Sequence, residues 1–327
     1  MDSGIATAPE PRSKALWSGR EQSRGVRRFD LFFTKATFLA GWGTAALLVW
    51  IAFQIGYAAW PAFHKYGFAF VTHQEWNPVE DIYGALAWIY GTAVSAVLAL
   101  LVATPLGVAI AIFLTEDYLP PAVQDFFKFT VELLAAIPSV IYGLWGIFVV
   151  IPITTPIGNW LNHHLGWFPP FSTPSYGPGF FPASFVLAIM VLPTIAALSR
   201  TALKATPGAT KEGALALGAT RWEVILQISL PMASTGIVGA AVLALGRAMG
   251  ETMALAMLVG NNNQIKASIF APANTIASLL ANSFGEASGL QVAALMYLSF
   301  ILMALTFAVN AVAEIVLDRT GASNHHH

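Results

Sequence analysis

The sequence predicts an all-α integral membrane protein with six transmembrane helices. Three observations carry that expectation. Hydrophobic residues fill 56% of the 327 positions and charged residues only 10%, whereas soluble domains carry about 25% charged residues. Six apolar runs are each long enough to cross a ~30 Å hydrocarbon layer, which takes about 20 helical residues. Lysine and arginine collect on one side of those runs, as the positive-inside rule requires. The chain has no cysteine, so disulfides, thiolate nucleophiles and Cys-ligated metals are excluded.

Taken in chain order, residues 1–30 read as a mobile, basic cytoplasmic tail rich in Pro, Ser, Gly and Arg. No short apolar core with a small-residue cleavage site follows it, so the next run (38–60) reads as a retained first span rather than a signal peptide. That span and an external loop make up residues 31–86. The remaining runs are 87–114, 129–153, 182–203, 235–260 and 292–316, within a transmembrane domain at 87–318. Pro105, Pro138 and Pro193 lie inside three of the runs. Each frees a backbone carbonyl and kinks its helix, which membrane helices tolerate when neighbours satisfy the group again. The tail at 319–327 ends in His325, His326 and His327, the pattern of a purification-tag remnant.

Charge sets the orientation. With the N-terminus inside, the inner segments hold Arg12, Lys14, Arg20, Arg24, Arg27, Arg28, Lys128, Arg200, Lys204, Lys211, Arg221 and Arg319. The outer loops hold only Lys65 and Lys266, so both termini are expected in the cytoplasm. The outer segment GWFPPFSTPSYGPGFF (166–181) suits headgroup anchoring or partner docking. The loop at 261–288 is too polar to span and is expected to hold a short external helix.

The longest inner loop, TPGATKEGALALGATRWEVILQISLP (206–231), has local signals for a helix–turn–helix. Pro207 is placed to open a helix and Gly218 to stop it in a left-handed conformation. Thr220 through Glu223 match the S/T-x-x-E capping box that starts a second helix. Flanking membrane spans and modest basicity argue against DNA binding, and no nucleic-acid partner is expected.

Glu212-Gly213-Ala214, three residues, Gly218, nine residues, then Ile228-Ser229-Leu230-Pro231 resembles the EAA motif of ABC importer permeases, the MetI-like family. Only Gly213 departs from the pattern, which has Ala there. The segments ELLAAIPSVIYGLWG (132–146), TPLGVAIAIFLTE (104–116), GRAMGETMALAMLVGN (246–261) and FAPANTIASLLAN (270–282) resemble the PstC-type permeases of phosphate-specific (Pst) importers. The loop EWNP at 75–78 favours the PstC over the similar PstA type. The resemblance covers roughly residues 76–316.

That resemblance implies a six-helix type I importer permease of a bacterial inner membrane. It implies a PstA-like permease partner, two PstB-like ATPase subunits inside and a PstS-like phosphate-binding protein outside, all embedded in or resting on membrane lipid. Glu212, Gly213, Ala214, Gly218, Ile228, Leu230 and Pro231 would then form the ATPase coupling element. The sequence has no G-x-x-x-x-G-K-[ST] phosphate-binding loop. The chain is therefore expected to be non-catalytic, with no cofactor or metal of its own and with ATP and Mg held by the partner ATPase. Another oxyanion (sulfate, molybdate or phosphonate) remains an alternative substrate. An ion-coupled secondary transporter is a further alternative, and the coupling motif speaks against it.

Within the spans, Arg247 and Glu251 pose the chemical question. Each costs roughly 2.5–3.5 kcal/mol at a bilayer centre. Arg247 lies twelve residues into the run at 235–260, or ~18 Å along a helix. A continuous helix puts Glu251 on the same face one turn on, beside the small pair Gly246 and Gly250. The pair fits an interhelical lock or a translocation path in which guanidinium meets phosphate oxygens. The resemblance associates an Arg and a Glu of this helix with the path. Ser139, after Pro138, is a further path candidate. Glu132 is expected at the interface or paired with Lys128, and Asn310 in an interhelical hydrogen bond.

Overall fold

A computed structural model describes residues 24–116 and 120–323. Arg12, Lys14 and Arg20 of the basic tail and His325–His327 lie outside the described residues. Six described helices are long and apolar enough to cross a membrane: Phe32–Tyr66, Leu86–Thr115, Ser139–Leu165, Phe180–Lys204, Arg221–Met249 and Leu290–Ile315. The described residues are mainly helical. A two-residue antiparallel pair, β1 (Trp76–Asn77) and β2 (Ile82–Tyr83), sets Trp76 opposite Tyr83.

The chain divides into two compact units at Gln54. The first contains the N-terminal part of helix α1 (Arg24–Tyr66), with the side chains from Phe32 to Trp50 all exposed. The second, from Ile55 onward, holds the rest: α2 (Ala69–Thr72), α3 (Leu86–Thr115), α4 (Pro121–Ala136), α5 (Ser139–Trp145), α6 (Ile151–Leu165), α7 (Phe180–Lys204), α8 (Gly208–Ala216), α9 (Arg221–Val224), α10 (Leu230–Met249), α11 (Met253–Leu258), α12 (Ile276–Ser283) and α13 (Leu290–Ser323).

The centre of this second unit is the packing of α3 on α7 and α10. Hydrocarbon gives apolar helices no hydrophobic reason to associate, so close approach through small residues must supply the contact energy. Ala96, Ala99 and Ala103 of α3 share one buried cluster with Val186, Leu187 and Ile195 of α7 and with Ala244 and Ala248 of α10. Gly107 is so near α7 that an added Cβ would lie 2.7 Å from Ile195 Cγ2. At the end of the bundle away from the 206–231 hairpin, the Asn274 carbonyl oxygen would lie 1.8 Å from a Cβ at Gly91. Only glycine admits that contact. There Thr92 Oγ1 accepts the Ile276 N–H at 3.0 Å, pinning the start of α12. The short helix expected in the 261–288 loop is α12.

Two spans differ from the expectation at 129–153 and 235–260. Ile137 is extended before Pro138, so helix α4 ends at Ala136 and the crossing helix starts at Ser139. A π-turn, Gly146–Val150, then joins α5 to α6 ahead of Pro152, and its wider hydrogen-bond spacing accommodates the missing proline N–H. In the other case the helix begins earlier, at Arg221, and ends at Met249. Residues 250–252 are non-helical before α11.

Pro138 cannot donate to the carbonyl four residues back, at Leu134. The Tyr142 hydroxyl donates to that oxygen instead, at 2.9 Å. A buried tyrosine one turn into the second helix thus closes the gap opened by the proline between helices. Tyr142→Phe keeps the ring and removes the donor, so it should cost about 1–2 kcal/mol. Thermal unfolding of the detergent-solubilised protein checks it: the variant should melt below wild type, and equal melting would contradict the repair role.

Candidate functional site

Arg247 occupies the last turn of α10 and is exposed. The helix stops at Gly250 and the chain turns into α11, so Glu251 does not continue the helical face of Arg247. Its Oε1 accepts a long hydrogen bond from Ala254 N–H, 3.4 Å, in the first turn of α11. A carboxylate there is favoured by the unsatisfied N–H groups and dipole of the helix start. Among the described residues no carboxylate lies within 4 Å of the Arg247 guanidinium. The one-turn spacing anticipated from sequence therefore gives way to a separated pair: a free guanidinium and a carboxylate engaged by the next helix.

The helices that follow two interruptions pack together here. Helix α11 packs on α5, where an added Cβ at Gly143 would lie 2.6 Å from Met257 Sδ and 3.4 Å from Ala254 Cα. The break at 137–138 therefore lies one helix turn from the helix that follows the break at 250–252. Ser139, half-buried, is the first residue of α5, and its N–H is among the free donors of a helix start. Non-helical backbone at membrane depth persists only where protein buries it or water reaches it. Arg247 and Ser139 border non-helical backbone at the end of a crossing helix, and Glu251 lies within it.

The lesser candidates resolve differently. Lys128 pairs with Asp125, three residues before it, rather than with Glu132, and this hydrogen bond holds the Asp125 carboxyl below the usual carboxylate range. Glu132 is exposed and lines a small cavity with Lys128 and Arg200. Asn310 is exposed, and its side-chain amide lies 3.6 Å from where a Cβ at Gly246 would stand.

The second feature is the hairpin. Pro207 stands at the cap position before α8. Gly218, at φ +92°, ends the helix: its N–H donates to Leu215 O at 3.0 Å and the Ala219 N–H to Ala214 O at 3.1 Å. These are the two bonds of a Schellman stop. Thr220 Oγ1 then accepts from Glu223 N–H at 3.3 Å, and Glu223 Oε2 accepts from Thr220 N–H at 2.7 Å. The anticipated capping box is present. A π-turn, Ile225–Ser229, leads into Pro231 near the start of α10.

This hairpin sorts its motif residues by face. Glu212, Gly213 and Gly218 are exposed, Ala214, Ile228 and Leu230 are half-buried, and Pro231 is exposed. Val224, Ile225 and Ser229 are buried and anchor the second half. Leu217 stands out at 92% exposure, with Trp222 also exposed. Lys211 Nζ reaches back 2.9 Å to Glu116 Oε1 at the end of α3. Sequence reasoning missed this ion pair and Tyr142. The partners of the first are 95 positions apart, which no local pattern links. Tyr142, four residues after Pro138 as Leu134 is four before it, carried a readable signal.

Comparison with known proteins defines the class. Residues 103–321 match the family model described as binding-protein-dependent transport system inner membrane component. The chain belongs to that family, whose members are multi-pass permeases of the inner membrane. Within it the chain stands with the PstC type. It is 42% identical over 319 residues to the phosphate transport system permease protein PstC of Mesorhizobium japonicum, covering 94% of this chain and 96% of that protein. The PstC of Xylella fastidiosa strain Temecula1 is 43% identical over 297 residues, covering 89% and 91%. A chain of a bacterial ABC transporter that imports the acidic polysaccharide alginate shares the fold with TM-score 0.61 at 19% identity, over 93% of this chain and 99% of that one. A chain of the inward-facing MetNI methionine ABC transporter gives 0.51 at 19% identity, over 72% and 94%.

The hairpin geometry makes a paired prediction. A Cβ at Gly213 would meet nothing within 4 Å, so Gly213→Ala should stabilise α8 by up to about 1 kcal/mol. Gly218→Ala forces a side chain into the left-handed region and should cost about 1–2 kcal/mol. Hydrogen exchange of the α8 amides should slow in the first variant and quicken in the second.

Proposed function

We propose that this chain is the transmembrane permease subunit of an ATP-driven phosphate importer. The carrying observation is identity above 40% to PstC phosphate permeases across about nine-tenths of the chain. In this reading it pairs with a second, PstA-like permease. Two PstB-like ATPase subunits hold ATP and Mg and supply the energy, so this chain needs no cofactor. A PstS-like protein delivers phosphate from outside. Both termini and the hairpin face the cytoplasm, in keeping with the lysine and arginine bias.

Glu212, Gly213, Ala214 and Gly218 present the coupling surface to the ATPase, while Ile228, Leu230 and Pro231 join it to α10. Arg247 is the attracting group of the path. Its planar guanidinium matches phosphate oxygens with paired donors and stays charged at every physiological pH. Support comes from its exposure at a helix break without a carboxylate partner, because intramembrane charge normally faces a path or a partner. Glu251, fixed on the first turn of α11, keeps negative charge close along the chain, so the anion is attracted without being trapped. Ser139 lines the adjoining break.

The test is reconstitution of the complete complex in vesicles. External binding protein loaded with phosphate should stimulate ATP hydrolysis and uptake, while sulfate- and molybdate-loaded controls should not. Arg247→Gln should abolish uptake with assembly intact, and Arg247→Lys should retain partial uptake because charge survives and the planar fork does not. Normal transport by the glutamine variant would remove Arg247 from the path.

A further inference from the structure

Among the described residues, three routes from the hairpin into the membrane bundle bear on its first helix, α8. Two are covalent. One runs back through residues 205–207 into α7. The other runs through the π-turn Ile225–Ser229 and Pro231 into α10. The second of these is mechanically soft, since a π-turn and a missing proline N–H both weaken the hydrogen-bond ladder. The third route is a side-chain contact, the ion pair between Lys211 of α8 and Glu116 at the end of α3.

This contact is better founded than an ordinary surface pair. The two side chains are only 21% and 24% exposed, so solvent screens them less than it screens exposed pairs. They line a cavity of about 150 Å³ with Leu215, Arg221 and Val224. Glu116 is the only carboxylate among those lining residues, facing the two cations Lys211 and Arg221. The end of α3 is held in place around it: Gln124 Nε2 donates to the Glu116 carbonyl at 3.1 Å and Arg200 Nε to the Leu114 carbonyl at 3.3 Å. From this fixed point α3 runs up the bundle. Thirteen residues on, or ~20 Å along the helix, Ala103 lies in the same cluster as Ala244 and Ala248, which flank Arg247 in α10.

We propose that Lys211 and Glu116 form a strut that carries movement of the coupling helix into α3, and through α3 to the helix bearing Arg247. This deepens the importer reading above and rests on it. Lys211 and Glu116 are positioning residues: neither touches phosphate or ATP in this scheme. When the ATPases draw α8 inward, α3 follows because its end is tied to α8, and the small-residue packing of α3 on α10 passes the displacement on. Without the tie, α8 keeps its covalent connections and the buried anchor of the hairpin's second half but loses its direct hold on α3, and hydrolysis is spent without opening the path.

The experiment uses the full complex in vesicles and two readouts. The absence of native cysteine allows single spin labels at Phe113→Cys on α3 and Thr210→Cys on α8, whose separation is measured with and without ATP. In wild type that separation should stay constant while both helices move relative to the rest of the bundle. In Glu116→Gln and Lys211→Met it should change on ATP binding. Uptake per ATP hydrolysed should fall about tenfold in each single variant, within the usual range of coupling free energies. The exchange E116K/K211E should restore most of it. A wild-type separation that changes with ATP overturns the strut outright, even if the variants fail to assemble. Unchanged uptake per ATP in both single variants overturns it as well. The label separation requires no phosphate, so failure of the phosphate reading leaves this measurement decisive.

Discussion

Everything in this fold depends on one constraint: in hydrocarbon, each backbone N–H and C=O must find a partner within the protein. Unbroken helices meet the constraint by themselves. This chain interrupts its helices at the ends of two crossings, at 137–138 and at 250–252, and meets it there by other means. At Pro138 the carbonyl left behind on Leu134 is claimed by the Tyr142 hydroxyl. At 250–252 the start of α11 is capped by the Glu251 carboxylate. The first repair uses a side chain from just beyond its break and the second a side chain from within it, and α5 and α11, which follow the two breaks, pack on each other. Irregular backbone is thereby concentrated in one place. Arg247, in the last turn of α10, stands beside it.

The separation of Arg247 from Glu251 changes the electrostatics from those of a closed pair. A neutralised pair presents little field to an incoming anion, and a lone guanidinium presents too much. Here the carboxylate is retained close along the chain but occupied by a helix start, so the guanidinium is free and the local charge remains balanced. The same division of labour recurs in the hairpin. Its second half is buried through Val224, Ile225 and Ser229, while most of its first half is exposed.

Much of this architecture was legible from sequence. Six spans follow from length and hydropathy, and the hairpin follows from Pro207, Gly218 and the Thr220–Glu223 box. Those signals act within a few residues, so local physics suffices to decide them. The span limits were less legible at 129–153 and 235–260. Continuous hydropathy ran through both breaks, because apolar composition reports what a segment is dissolved in and not whether its helix is continuous. Pro138 was read as a kink and proved to be an end. Arg247 and Glu251 were rightly singled out as unusual, but their one-turn alignment assumed a helix that stops at Gly250.

The sequence by itself determined the class of protein, the number of crossings and the shape of the 206–231 hairpin, since each rests on composition, spacing or hydrogen bonds between near neighbours. Only the tertiary structure decided that Lys211 meets Glu116, that α5 faces α11 and that no described carboxylate pairs with Arg247. Those outcomes depend on which helices approach one another. That choice is made by small residues such as Gly91, Gly107 and Ala103, whose packing partners lie far along the chain and leave no local mark.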